Sequence, residues 1–217
     1  MYGVSSTRSE DFFGHIVGQK IMEVVVTKIA NSRSKYCLFF LLCVGICSYS
    51  MAQRNPQWGE AVATNFAKNV YKIDTGVYRC AQPDSAAFAE LAGMGITEII
   101  NLRSFDTDKK YSHANFVFHH INMQAEHCNY KKIVRVLQLI KHRNASIAIH
   151  CKHGADRTGL IIALYRIAFQ GWTKEEAIDE LKNGGYNFHA IYGNIPRYIM
   201  RLDVERLKRD VFIKALP

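Results

Sequence analysis

A cysteine and an arginine, Cys151 and Arg157, stand at the two ends of the string His150-Cys-Lys-His-Gly-Ala-Asp-Arg-Thr-Gly159, in the spacing C-x5-R. The apolar run Ala145 to Ile149 precedes the string and a longer one, Leu160 to Phe169, follows it. That pattern reads as strand, tight loop and helix N-terminus. Free N–H groups and the positive end of the helix dipole make such a place an anion site. A cysteine there is favoured as thiolate, and a thiolate facing a bound phosphate is a nucleophile toward phosphorus.

Each position has a chemical reason. Cys151 would attack phosphorus and carry a phosphocysteine intermediate, splitting a hard hydrolysis into two easier steps. Arg157 offers a planar fork of donors to clamp two phosphate oxygens. The amides of Lys152, His153, Gly154, Ala155, Asp156 and Arg157 would cradle the anion, with Gly154 supplying the dihedrals that turn them inward. Thr158 is placed to donate its hydroxyl to the Cys151 sulfur, and Gly159 to let the helix start pack closely. His150 is expected to orient the loop through hydrogen bonds rather than act as a base.

The full string resembles the signature loop of the cysteine-based protein tyrosine phosphatase superfamily, its dual-specificity branch above all. Val77-Tyr-Arg-Cys-Ala-Gln-Pro83, Ile99-Ile-Asn-Leu-Arg103 and Gly-Gly-Tyr-Asn-Phe-His189 extend the likeness to bacterial enzymes of that type, over about residues 70 to 205. The resemblance implies a phosphomonoester hydrolase, needing no cofactor, that acts on phosphorylated protein. Lys152 and the Asp156-Arg157 pair are similar to loops of phosphoinositide phosphatases, so an inositol phosphate or phosphoinositide is the alternative substrate. More distant alternatives are a sulfur-transfer enzyme and a non-catalytic phosphate-binding module.

The general acid departs from the family pattern. Related phosphatases place an aspartate after the strand that precedes the helix leading into the active strand. Here that stretch is Asn122-Met-Gln-Ala-Glu-His-Cys-Asn129, whose carboxylate is Glu126. Asp156, inside the loop as in myotubularin-type phosphatases, is the first candidate and Glu126 the second; Asp106 and Asp108 lie on another loop. Arg103 and Arg79 are candidates for the rim of the site or for structural ion pairs, and His189 reads as a packed structural histidine.

The surrounding elements alternate. Val70–Ile73 and Gly76–Arg79 read as a hairpin, and Asp84 caps a helix stopped by Gly93 and Gly95. Glu98–Leu102 and Phe116–Met123 read as strands. Ile133, Val136, Leu137 and Ile140 recur at helical spacing in Tyr130–His142. Thr173 and Glu176 form a capping box for a helix through Lys182, and one last helix runs from Ile195 to Val211. The order implies an α/β domain, a central, mostly parallel twisted sheet flanked by helices, with the loop at the carboxyl end of its strand. The family resemblance makes this the three-layer phosphatase domain.

The chain has 217 residues and 28 Lys/Arg against 19 Asp/Glu, a net charge of +9. A basic surface suits anionic substrates, but without a dense Lys/Arg run interleaved with aromatics no nucleic-acid partner is expected. Lys20, Lys28, Arg33 and Lys35 precede the apolar run Tyr36–Cys47, and Ser50 and Ala52 offer a small-x-small cleavage site. This reads as a signal peptide cleaved near Ala52, too short for a membrane span of ~20 residues, with a periplasmic or secreted product. Residues 1–21 read as an over-long start, 1–52 as leader, 53–69 as linker and 70–217 as the phosphatase domain. Of six cysteines, Cys80, Cys128 and Cys151 lie beyond the leader, and whether Cys80 and Cys128 pair is open. The histidines show no ligand spacing, so no metal is expected.

Overall fold

The computed structural model describes residues 54–105, 108–112 and 114–213. The leader, its cleavage site and Asp106 lie outside them. Six strands form one sheet: β1 (Glu60–Ala61), β2 (Tyr71–Asp74), β3 (Val77–Cys80), β4 (Ile96–Asn101), β5 (Val117–His120) and β6 (Ser146–His150), in the order β1-β2-β3-β6-β4-β5. The β1/β2 and β2/β3 pairs are antiparallel, whereas β3, β6, β4 and β5 run parallel. The β2–β3 hairpin turns at Thr75-Gly76, where Gly76 holds φ +73°.

Alternation along β6 divides the core between the two faces. Ile147 and Ile149 join a large cluster with Leu137, Leu160, Leu164 and Leu181, while Ala148 joins Phe88, Leu91, Ile96 and Ile99 on the other side. Helix α1 (Ser85–Gly93) contributes to the second face and α3 (Tyr130–Lys141), α4 (Asp156–Gln170), α5 (Lys174–Asn183), α6 (Asn194–Arg201) and α7 (Val204–Phe212) to the first. The short α2 (Asp108–Tyr111) follows β4.

Side-chain caps start four of the helices, two of them, at Asp84 and Thr173, as the sequence predicts. Asp84 accepts from the Ala87 amide, Asn129 from Lys132, Asp203 from Arg206, and Thr173 with Glu176 completes a capping box. Helix α4 has no side-chain cap: Ala155 precedes it. Its first amides are therefore left for another acceptor.

The structure corrects three boundaries. Residues 54–69 are part of the folded unit rather than linker, since β1 pairs with β2, the Gly59 amide donates to Glu180 at 2.8 Å and the amides of Asn65, Phe66 and Ala67 donate to the Glu90 carboxylate. The single last helix is two, α6 and α7, broken at Leu202, whose ψ of 136° is extended, and restarted by the Asp203 cap. Strand β5 ends at His120, with the Ile121 and Met123 amides still donating to the carbonyls of Asn101 and Leu102.

Candidate active site

The register aligns the last residues of the four parallel strands: Cys80 with His150, His150 with Asn101, Asn101 with His120. The loop from Cys151 to Ala155 springs from the middle of this edge, where parallel sheets bind ligands. Its carbonyls are held from outside. Lys152 O accepts from the Gln82 amide at 3.2 Å, His153 O from Asn69 Nδ2 at 2.9 Å, and Gly154 O from Arg79 Nη2 at 2.5 Å. Tethering carbonyls outward leaves the amides on the concave side, joined to the uncapped start of α4.

Gly154 makes the loop possible. It sits at φ +68°, and a Cβ there would lie 2.3 Å from the Cys80 carbonyl oxygen. Cys151 is 1% exposed. His150 is fully buried, with Nε2 2.9 Å from Asp108 Oδ2 and Nδ1 3.3 Å from the Cys151 carbonyl. It orients the loop and has no contact with solvent. Arg157 reaches across to donate from Nη1 to the Met123 carbonyl at 3.4 Å, and its buried Nε has no partner among the described residues. A buried thiol, a ring of inward amides and an arginine with uncommitted donors can seat a tetrahedral dianion against sulfur.

A model of the tyrosine phosphatase family matches residues 62–214. The chain belongs to the tyrosine phosphatase family. It is a cysteine-dependent phosphatase. Dual specificity protein phosphatase TpbA of Pseudomonas aeruginosa is 28% identical over 159 residues, 72% of each chain. The crystal structure of TpbA superposes with a TM-score of 0.67 at 27% identity, covering 73% of this chain and 99% of that one. A cysteine-to-serine variant of TpbA in complex with phosphotyrosine gives 0.68 at 26% identity, covering 75% and 100%. The core catalytic domain of the PP-IP phosphatase SIW14 from S. cerevisiae shares the fold, with TM-score 0.56, 19% identity and coverage of 68% and 93%.

In this phosphatase the acid candidates are separated. Asp156 is buried beside the loop, and its carboxylate accepts from the His189 backbone N–H at 3.0 Å and from its ring Nδ1 at 2.9 Å. Glu126 is exposed; Asn194 donates to its carbonyl, and no hydrogen bond or ion pair joins its carboxylate to the loop. Asp108 is not on an open loop but buried against His150 and Gln82. His189 is not packed: its side chain is 44% exposed and its ring lies 5.2 Å from that of His153. Suitable ligand atoms of His153, Asp156 and His189 lie within 4.8 Å of one another, a grouping that spacing along the chain does not reveal.

Among the described residues neither candidate arginine forms the ion pair considered for it. Arg103 donates to Gln82 Oε1 at 2.9 Å, and Gln82 in turn donates to Asp108 at 2.9 Å. Arg79 is 1% exposed and stacked on Tyr186, 3.7 Å from the ring centroid. The expected bond from Thr158 to the Cys151 sulfur is not formed: Oγ1 is buried with no hydrogen-bond partner among the described residues. Cys80, Cys128 and Cys151 are all free thiols. Burial pushes the Cys80 thiol far up and that of Cys128 up to about 11, so both are poor nucleophiles.

Residues that sequence reasoning missed hold the loop from behind. Asn69 adopts φ +55°, a conformation asparagine tolerates better than most residues, and its amide grips both His153 O and Tyr186 O. The Gly-Gly-Tyr segment carries Tyr186 into the core. Only its likeness to the family signals that placement.

Proposed function

We propose that this phosphatase hydrolyses phosphotyrosyl protein, with Cys151 as nucleophile, the amides of residues 152–157 as the phosphate cradle and Arg157 as the clamp. The observation that carries it is the uncapped start of α4 directly beyond a buried cysteine, with every loop carbonyl from Lys152 to Gly154 tethered outward. Thiolate attack forms the S–P bond as the ester oxygen leaves. Water then cleaves phosphocysteine and restores the thiolate. Arg157 follows the equatorial oxygens through both steps. The complex of the TpbA variant with phosphotyrosine supports an aryl phosphate as substrate.

Release of phosphate from a phosphotyrosyl peptide, against inositol phosphates and phosphoinositides on the same preparation, tests the substrate class. Cys151→Ser should abolish turnover of every substrate. An unchanged rate in that variant would sink the nucleophile assignment.

We further propose that the mature protein acts outside the cytoplasm. Its support is the basic stretch, the twelve-residue apolar run Tyr36–Cys47 and the small residues ending at Ala52. Among the described residues no helix is long and apolar enough to cross a membrane. Sequencing the mature N-terminus after cell fractionation should find a chain starting near Gln53 in the exported fraction.

A further inference from the structure

His189 comes to the loop from a different part of the chain, 33 residues beyond Asp156. Its backbone N–H donates to Asp156 Oδ1 at 3.0 Å, and its ring Nδ1 lies 2.9 Å from Oδ2. The carboxylate is buried and both of its oxygens are taken, while the imidazole is half-open to solvent. A carboxylate acceptor puts a proton on Nδ1 and fixes the plane of the ring. Nε2 makes no hydrogen bond among the described residues. The ring stands beside two others, that of His153 in the loop and that of Tyr192 at 6.3 Å.

We infer that His189 is the general acid of this phosphatase and Asp156 the positioning residue that holds it, an inference that rests on the phosphocysteine reading above. In-line displacement sends the departing oxygen away from sulfur, toward the open mouth of the loop rather than its floor. Asp156 has its oxygens turned to His189. To serve as the acid itself it would have to carry a proton and give up these donors. Glu126 has no tie to the loop. His189 is bonded to the carboxylate next to Arg157, beside the His153 ring of the loop, with a ring nitrogen uncommitted, and a carboxylate behind an imidazole is an established way to aim such a group.

The step starts from the imidazolium, with one N–H on Asp156 and the other free. As the Cys151 sulfur bonds to phosphorus, the P–O bond breaks, its electron pair stays on oxygen, and that oxygen takes the Nε2 proton. In the second step water gives a proton back to Nε2 as its oxygen bonds to phosphorus and the S–P bond breaks. The thiolate and the imidazolium are both restored.

The test is the dependence of kcat/KM on the leaving group, since this constant covers only the steps through phosphocysteine formation. His189→Gln should lower kcat/KM for phenyl phosphate by about 10²–10⁴-fold, yet by less than ~5-fold for an aryl phosphate with a strongly acidic phenol, which needs no proton. The second rate also shows that the variant is folded. Asp156→Asn should give a smaller loss with the same leaving-group pattern. Equal losses on both substrates, no loss, or the leaving-group pattern in Glu126→Gln instead would overturn the inference. So would loss of wild-type activity to a metal chelator, since His153, Asp156 and His189 would then be ligands. Activity surviving in Cys151→Ser would be a different failure, that of the phosphocysteine reading itself.

Discussion

His150 Nε2 and Asp108 Oδ2 lie 2.9 Å apart with both side chains out of contact with water. The pair ties the residue before the nucleophile to a short helix beyond β4. Burial raises the Asp108 carboxyl, but the hydrogen bonds and charge of His150, with help from Gln82, outweigh it and hold the group below its ordinary value. A depressed carboxyl contributes stability that is fully present above its unfolded value, about 3.9, and lost as pH falls through the lower folded one.

Asp108→Ala should therefore destabilise the domain by about 3–5 kcal/mol near neutral pH, because it leaves His150 buried without its partner. Urea denaturation of wild type and Asp108→Asn from neutral pH downward checks the sign. Their difference should shrink as pH falls below roughly 4. A difference that grows on acidification would contradict the pairing.

Arg79 braces the loop by donating to Gly154 O while its guanidinium carbon sits over the Tyr186 ring. Arg79→Met keeps much of the apolar stem but leaves that carbonyl unsatisfied, at a cost of about 1–3 kcal/mol. Arg79→Lys keeps the charge without the planar fork. Both variants should lose kcat/KM at least tenfold with the protein still folded, which denaturation and kinetics on one preparation will show.

Gly154→Ala meets two obstacles at once, the positive φ and the Cys80 carbonyl 2.3 Å from the new methyl. The neighbour is backbone and cannot swing aside, so the loop must move. We expect a loss of phosphate binding, read as weaker protection by vanadate, and a fall in stability beyond the roughly 1–3 kcal/mol of a strained backbone position alone.

Glu180 anchors the N-terminal segment. It accepts from Arg166 Nε at 2.8 Å and Nη2 at 2.9 Å, from the Gly59 amide at 2.8 Å and from the Tyr186 hydroxyl at 2.7 Å. Glu180→Gln should cost about 3–5 kcal/mol by stranding the buried Arg166. It should also speed limited proteolysis around residues 54–61, which Gly59 ties to the core. Unchanged proteolysis would mean that other contacts hold this segment.

The hairpin, the capped helices and the strand-loop-helix around Cys151 were legible because each depends on neighbours in the chain. Asp84 and Thr173 cap amides three residues away, and Gly76 and Gly154 mark turns by their own conformational freedom. The break at Leu202 leaves in the sequence only a five-residue step, from Leu202 to Leu207, in otherwise helical apolar spacing, too slight a signal to separate two helices. Residues 53–69 read as linker because a two-residue strand carries almost no periodic signal.

Sequence alone determined the thiol, the arginine and the small residue between them, because a helix N-terminus builds an anion site from local backbone. The tertiary structure decided what surrounds them. Asp108 meets His150 across 42 residues, Arg79 meets Gly154 across 75, and His189 meets Asp156 across 33. Such contacts are set by which strands pair and which helices pack, and spacing along the chain does not encode them. The loop states the chemistry by itself; its support, and the imidazole we assign as acid, arrive only when the sheet brings distant segments to one edge.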